Sequence, residues 1–263
     1  MIIKRVIIFL SFTSSLIFST SAQERTSNYQ LELDHFVFFV TDSSLEKKFE
    51  DKFTEAELLY TEHNTQGTVG KYFLFYNTYI ELLYLKDSSV AIQNQKRFKS
   101  NYTKRWQSED ASRFGFGFNL IPFDTTLMDF KFQTYSTVDS PTDEYYIMPD
   151  YNQLINFPFA YISLPDKRYE KFNSLDEVDQ KVEAYKRDDL KKYLSHRSGI
   201  KNLTNVILEI SSKKTKSNLD LLKTIPNVQV LDKETQRLIL VFDNGIQKKE
   251  VEFSNEFNLL IRY

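Results

Sequence analysis

The chain has 263 residues, of which 41% are hydrophobic and 27% are charged, so it is long enough to bury one large core. Its formal net charge of −2 gives no electrostatic reason to expect a nucleic acid or an anionic membrane as a partner. The absence of cysteine excludes disulfides, cysteine nucleophiles and a cysteine-linked lipid anchor. The 23 Phe and 16 Tyr residues favour a fold rich in β-sheet.

Residues 1–22 have the layout of a secretory signal peptide. Lys4 and Arg5 precede an apolar run over residues 6–18, and small residues lead up to Ala22. A retained membrane anchor is the alternative, but the run is shorter than the roughly 20 apolar residues that a span needs. We therefore expect cleavage after Ala22, no stable membrane insertion afterwards, and a secreted or periplasmic protein.

The next part of the chain alternates apolar runs with turn residues, and one apolar pattern has helical spacing. Leu45, Phe49 and Phe53 recur every four residues behind a Thr-Asp-Ser-Ser capping cluster, which predicts a helix. The elements predicted in chain order are a strand at 33–40, this helix, a short strand near 58–60, and strands at 71–76 and 78–85. This order defines a βαβββ unit.

The rest of the chain is predicted to repeat that unit in part over residues 114–164 and again over residues 203–263. The second copy comprises strands at 114–120, 144–148 and 157–164, with a short helix within 122–132. A capping box of Ser174 and Glu177 opens a charged surface helix over residues 173–194. The third copy comprises strands at 203–211, 228–231, 237–242, 251–253 and 257–262, with a helix at 217–224 and a turn at 243–245. Such recurrence suggests internal duplication.

Two ionisable residues interrupt apolar strands. His35 lies in LDHFVFFV and Glu81 lies in TYIELLYL, and neither residue type is often buried without a partner. His35 is either a residue of a binding pocket or a core histidine bonded to Asp34 or to the backbone. Glu81 is either a second pocket residue or the partner of His35 in a structural ion pair. We expect the two side chains to face each other and to point into a cavity.

With those stretches in view, the chain resembles the glyoxalase-like branch of the vicinal-oxygen-chelate superfamily. The resemblance rests on LDHFVFFV, HNTQGTVGKYFLFYNTYIELLYL, FGFGFNL and HRSGIKNLTNVILEI, and with the order of the units it covers most of residues 33–263. It implies an α+β fold in which paired βαβββ modules at 33–164 form curled sheets around a cavity. A connecting helix at 165–202 and a third, C-terminal unit at 203–263 follow.

The resemblance also implies a site. Metal-dependent members hold a divalent metal ion through His and Glu in the first and last strands of each module, which makes His35 and Glu81 the candidate catalytic and metal-binding residues. The second module offers only Asn119 in its first strand, and Tyr161 and Ser163 in its last, so the ligand set is incomplete. The candidate ligand-binding residues are His63, Gln66, Thr68, Lys71, Asn119 and Tyr161.

Two functions fit this pattern. The first is an exported glyoxalase-like enzyme that acts on a small organic molecule through His35 and Glu81, either as metal ligands in lyase, isomerase or dioxygenase chemistry or as an acid–base pair. The second is a non-catalytic protein of the same fold that sequesters a small molecule in an aromatic cavity. For the loop residues His63, Gln66 and Thr68, a role in a structural turn is the alternative to ligand binding.

Overall fold

The computed structural model describes residues 28–41, 44–51, 58–97, 101–136, 144–148, 154–185, 190–211 and 216–263. The predicted signal peptide at 1–22 lies outside these residues. The strands are β1 Gln30–Val40, β2 Leu59–His63, β3 Thr68–Leu74, β4 Tyr79–Leu85, β5 Phe114–Ile121, β6 Gln133–Ser136, β7 Glu144–Ile147, β8 Phe159–Ile162, β9 Leu203–Ile210, β10 Val228–Asp232, β11 Arg237–Phe242, β12 Glu250–Phe253 and β13 Leu259–Arg262. The helices are α1 Ser44–Phe49, α2 Ser88–Arg97, α3 Lys104–Gln107, α4 Leu175–Tyr185, α5 Leu190–Leu194, α6 Lys216–Leu222 and α7 Ser254–Phe257.

The fold is α+β, as predicted, and contains two mixed sheets. The larger sheet has eight strands in the order β2-β3-β4-β1-β5-β8-β7-β6. Strand β1 runs parallel to β4 and β5 runs parallel to β8, while β1 and β5 pair antiparallel at the centre. The central pair therefore divides the sheet into two halves of four strands each.

Strand β1 is buried on both faces, which explains why its sequence is apolar throughout instead of alternating. Phe36, Phe38 and Val40 point to one face and join the main core cluster. Val37 and Phe39 point to the other face and join a smaller cluster around Trp106 and Phe159. His35 shares this second face because side chains alternate along a strand.

The second sheet packs on the first of these faces. The ring of Phe257 lies 5.0 Å from that of Phe38, and Phe253 stacks on Phe49 at 4.1 Å. Phe75 and Phe242 make a third ring contact, with centroids 4.6 Å apart. The main core cluster thus contains residues from both sheets, and the C-terminal unit shares its core with the rest of the protein.

The C-terminal sheet does not repeat the strand pairing of the larger sheet. Its order is β10-β9-β11-β13-β12, so its first strand, β9, lies parallel to β10 and antiparallel to β11. In the larger sheet, the first strand of each half is instead parallel to the last strand of that half. The predicted third copy therefore has the expected strands and helix in a different arrangement, since local sequence does not specify the partner of a strand.

The local predictions for the segments that connect the strands are mostly confirmed. One half of the capping box forms, with Glu177 N donating to Ser174 Oγ at 3.2 Å, while the Glu177 carboxylate accepts from the backbone N–H of Asn173 at 2.8 Å. The charged segment contains α4 and α5. The turn at 243–245 forms with positive φ at all three residues. The segment at 122–132, however, contains only a short 3₁₀ turn at Thr125–Leu127 in place of the predicted helix.

The part of the chain that the structure describes contains no helix long and apolar enough to cross a membrane.

We expect the substitution Phe257→Ala to lower the free energy of unfolding by about 3–5 kcal/mol, because it removes a buried ring from the contact between the two sheets. The measurement is urea denaturation followed by the fluorescence of Trp106, the single tryptophan, which lies on the opposite face of the larger sheet. The control Ile246→Ala, at a side chain that is 73% exposed, should stay within about 0.5 kcal/mol of the wild type. A Trp106 transition unchanged by Phe257→Ala would show that the C-terminal unit folds independently.

Candidate functional site

A cavity of about 200 Å³ lies on the face of the larger sheet that points away from the C-terminal sheet. The first half of the sheet contributes His35 and Val37 from β1, Tyr72 from β3, and Tyr79, Glu81 and Leu83 from β4. The second half contributes Phe159 and Tyr161 from β8 and Tyr135 from β6. Asn94 and Gln95 of α2, Tyr102, Gln66 and Lys167 line the remaining sides. The cavity therefore has aromatic walls with a few polar groups among them.

A β-bulge in β1 shapes the most buried part of this site. Leu33 pairs with Phe118 and His35 pairs with Gly117, so Asp34 is an extra residue without a partner of its own on β5. A bulge suspends the strict alternation of side chains. As a result, the adjacent side chains of Asp34 and His35 meet instead of pointing to opposite faces.

Asp34 is completely buried and is surrounded by donors. Its carboxylate accepts hydrogen bonds from His35 Nδ1 at 2.8 Å, from Asn119 Nδ2 at 2.8 Å and from the backbone N–H of Tyr169 at 3.0 Å. Burial alone would raise the pKa of Asp34, but its interaction with His35 and the hydrogen bonds from Asn119 and Tyr169 outweigh burial and keep the pKa below its usual value. Asp34 is thus a carboxylate anion held rigidly in the core.

This anion fixes the tautomer of the His35 ring. Because Asp34 accepts from Nδ1, the proton of the neutral ring is on Nδ1 and the lone pair is on Nε2. Nε2 accepts a hydrogen bond from the hydroxyl of Tyr161, and the ring stacks on Tyr79 with centroids 4.2 Å apart. His35 is 1% exposed and lies between the core and the cavity.

Gly117 of β5 provides the space for the His35 ring. A Cβ atom at position 117 would lie 2.5 Å from Nδ1 and 2.7 Å from Nε2 of that ring, so the ring would have to shift to admit any side chain. Gly115 has a similar role beside Phe159, where a Cβ atom would lie 2.8 Å from the Phe159 carbonyl oxygen. The two glycines in FGFGFNL are thus explained by the His35 ring and by the Phe159 backbone that pack against them.

Glu81 belongs to a second cluster on the cavity wall. Its Oε1 lies 3.7 Å from His63 Nε2, and the Tyr72 hydroxyl lies 2.8 Å from the same nitrogen. Gly70 leaves room for this cluster, because a Cβ there would lie 2.7 Å from Glu81 Oε1. Burial is the largest cause that raises the pKa of both Tyr72 and Tyr102, and the negative charge of Glu81 raises it further. Both phenols therefore keep their protons near Glu81.

A buried arginine supports the wall that carries Tyr102 and Phe159. Arg105 Nη1 donates to the carbonyl oxygens of Phe157 at 2.9 Å and Ser112 at 3.2 Å, and its guanidinium lies over the Phe159 ring. Burial lowers the pKa of Arg105 to about 9, so it remains charged at neutral pH. Residues 86–97 and 101–113 therefore contribute an integral part of the cavity wall.

The structure separates the predicted site residues into two groups. His35, Glu81, His63, Gln66 and Tyr161 all line the cavity, as predicted. Three other predicted ligand-binding residues do not line it.

Lys71 points to the other face of β3, where it forms an ion pair with Glu46 and lies over the Tyr84 ring. Asn119 is buried and serves as a donor to Asp34, and Thr68 is fully buried. The prediction that these three residues bind a ligand directly is not supported by their positions.

The expected contact between His35 and Glu81 is also wrong. In the parallel pairing of β1 with β4, His35 lies opposite Tyr79, and Glu81 lies opposite Val37. Each ionisable group has its own partners, Asp34 and Tyr161 for His35 and His63 and Tyr72 for Glu81. The alternative that His35 is bonded to Asp34 is correct, and His35 lines the cavity as well.

Sequence reasoning missed several cavity residues, chiefly Tyr72, Tyr79, Tyr102 and Tyr135. A signal for one of them was available, since Tyr79 precedes Glu81 by two residues and must share its face of β4. The sequence indicates Asp34 only as one possible bonding partner of His35, and strict alternation along the strand would direct its side chain to the opposite face.

The donors present do not fit the metal site that the resemblance implies. Both ring nitrogens of His35 are already hydrogen bonded, so a metal at Nε2 would have to displace Tyr161. The residue opposite His35 in the second half of the sheet is Gly117, whose space the His35 ring itself fills. Within the described ranges, no group of three or more His, Asp or Glu residues could hold a metal ion.

Comparisons with known proteins bear on the fold. No protein-family model and no curated protein matches the chain. The crystal structure of a hypothetical protein from Staphylococcus aureus is similar over 88% of this chain and 98% of its own, with a TM-score of 0.50 and 13% sequence identity. A hypothetical protein from Bacillus halodurans C-125 is also 13% identical, but its TM-score is 0.34 over 54% of this chain and 99% of its own. The first similarity concerns the fold alone, and the second adds nothing to it.

We expect Gly117→Ala to cost about 1–3 kcal/mol of stability, because the new methyl group overlaps the His35 ring. The same substitution made in a His35→Ala background should cost much less, since the ring is gone. A double-mutant cycle of thermal or urea unfolding measures this coupling. Equal costs of Gly117→Ala in the two backgrounds would contradict the packing described here.

Proposed function

We propose that this protein is a glyoxalase-like protein that binds a small organic molecule in the cavity of the larger sheet. The observation that carries the proposal is the convergence of tyrosines, His35, His63 and Glu81 from both halves of the sheet on one cavity. Pockets with apolar walls and a few convergent polar groups are the usual form of a small-molecule site. A cavity of about 200 Å³ favours a small ligand.

The strand pairing supports the paired βαβββ modules that the resemblance implies. Each half of the sheet has its first strand parallel to its last, and the two first strands meet antiparallel at the centre. His35 pairs with Gly117 across the centre, and Tyr79 and Tyr161 are their neighbours on β4 and β8. The second half thus has a glycine where the first half has its histidine.

Ligand binding without a metal is the version that these contacts favour. The metal-assisted lyase, isomerase or dioxygenase chemistry of the resemblance would require His35 to exchange Tyr161 for the ion. The cavity offers hydrogen-bonding groups from His63, Glu81 and several tyrosines without that exchange. A sequestering protein and an enzyme that acts by metal-free acid–base or nucleophilic chemistry both remain compatible with this proposal.

We also propose that the protein is exported. Lys4, Arg5, the apolar run at 6–18 and Ala22 carry this proposal, which rests on the sequence alone. An exported protein without cysteine depends on noncovalent packing, and the core shared by the two sheets is consistent with that need.

Filling the cavity should abolish ligand binding. We expect a screen of small aromatic and polar compounds by ligand-observed NMR to identify binders of the wild type, and Leu83→Trp to weaken them at least tenfold, because Leu83 lines the cavity. Tyr60→Trp, at an exposed position of β2, is the matched control and should bind normally. Thermal melting of each variant establishes that it is folded.

The same binders should be unaffected by dialysis against a chelator, because no metal takes part in the proposed binding. Loss of binding on chelation, together with stoichiometric metal in the untreated protein, would favour the metal-assisted alternative. A wild type that binds no compound, or a Leu83→Trp variant that binds as well as the wild type, would contradict the proposed site.

Expression of the full chain in a secreting bacterial host should yield a mature protein that begins at Gln23. Intact mass measurement of the exported fraction checks this cleavage, and replacing Ala22 with a bulky residue should move or block it. Recovery of membrane-bound protein that retains Met1 would overturn the proposal of export.

A further inference from the structure

A continuous line of hydrogen bonds runs from the core to the cavity. Asp34 Oδ2 accepts from His35 Nδ1 at 2.8 Å, and His35 Nε2 accepts from the hydroxyl of Tyr161, which lines the cavity. We propose that Tyr161 is the reactive nucleophile of this cavity, a phenol that gives its proton to His35 as its oxygen attacks an electrophilic ligand. The inference rests on the proposed function in one respect, namely that small molecules enter the cavity.

The arrangement supplies each part that an activated hydroxyl nucleophile needs. Such a nucleophile requires a base within hydrogen-bond reach, and the base requires a third group that orients it. His35 is the base, with its tautomer set by Asp34 so that the lone pair on Nε2 faces Tyr161. Asp34 then stabilises the imidazolium that forms, as the carboxylate does in Ser-His-Asp enzymes.

Asp34 is well suited to that role because it cannot turn away. Asn119 and the backbone of Tyr169 hold the carboxylate from other directions, and the stacking of Tyr79 fixes the plane of the His35 ring. The ring of Tyr161 contacts His35 edge-on at 5.4 Å and packs on Phe159 at 5.7 Å. The three groups are therefore held in line before any ligand arrives.

Tyr72 is a natural comparison in the same cavity. Its hydroxyl also lies beside a histidine, His63, at 2.8 Å. However, the negative charge that approaches this pair, Glu81, interacts with the phenol itself and disfavours loss of its proton. The carboxylate of Asp34, in contrast, lies behind His35 and favours transfer of the proton to the ring. The two pairs predict opposite reactivities for two tyrosines of one cavity.

The class of ligand that fits is a small molecule with an electrophilic acyl or sulfonyl centre. With benzenesulfonyl fluoride as the probe, the Tyr161 oxygen forms a bond to sulfur, the S–F bond breaks and fluoride leaves. The phenolic proton passes to His35 Nε2 and from there to solvent. No oxidant, reductant or metal takes part in this step.

The experiment treats the mature protein with benzenesulfonyl fluoride at neutral pH and measures the sulfonylation rate of each tyrosine by peptide mass spectrometry. We expect Tyr161 to react at least tenfold faster than Tyr72, and faster than the exposed Tyr60, whose hydroxyl donates to Glu62. His35→Gln and Asp34→Asn should each slow the reaction of Tyr161 at least tenfold and leave that of Tyr60 unchanged. The first comparison is made within the wild type, so it stands even where Asp34→Asn fails to fold.

The outcomes separate this inference from the proposed function. Labelling of Tyr72 or Tyr135 as fast as Tyr161 would overturn the inference and leave the cavity open to small molecules. The same holds for unchanged labelling of Tyr161 in a folded His35→Gln variant. Labelling of Tyr60 alone, with every cavity tyrosine protected, would overturn both.

Discussion

An anion inside a protein must be surrounded by hydrogen-bond donors, and Asp34 takes its donors from three separate parts of the chain. They are the neighbouring His35, Asn119 of β5 and the backbone of Tyr169. The carbonyl oxygen of Asp34 also accepts from Thr78, just before β4. A single residue thus ties β1 to β4, to β5 and to the segment after β8, and removing a partner of a buried charge typically costs about 3–5 kcal/mol. The position of His35 follows from this constraint.

The two halves of the larger sheet are alike in strand pairing and different in chemistry. The first half carries His35, Glu81 and His63, whereas the second half carries glycines and Tyr161 at the corresponding wall. Position 117 requires a glycine because the His35 ring fills the space that a Cβ atom there would need. A symmetrical frame therefore holds an asymmetrical site, in which one half provides the ionisable groups and the other provides space and a phenol.

Much of the fold and part of the site could be predicted from the sequence. Apolar runs indicated most strands and the α+β class, and the ionisable residues within those runs indicated the cavity wall. The errors have physical causes. Lys71 lies one residue from Tyr72, and a shift of one residue in a strand changes the face. The bulge that brings Asp34 to His35 leaves no mark in the local pattern. The strand order of the C-terminal sheet depends on contacts between distant residues, which the local sequence does not specify.

The two faces of the larger sheet have different roles, and this difference explains how the protein remains stable with a polar site buried in it. The polar network of Asp34 and His35 is costly to bury, and it lies in a strand whose other face is entirely apolar. That other face packs on the C-terminal sheet through Phe36, Phe38 and Val40 and their neighbours in the main core cluster. Large apolar burial on one face offsets the cost of polar burial on the other. The run LDHFVFFV therefore contributes side chains both to the core between the two sheets and to the wall of the cavity.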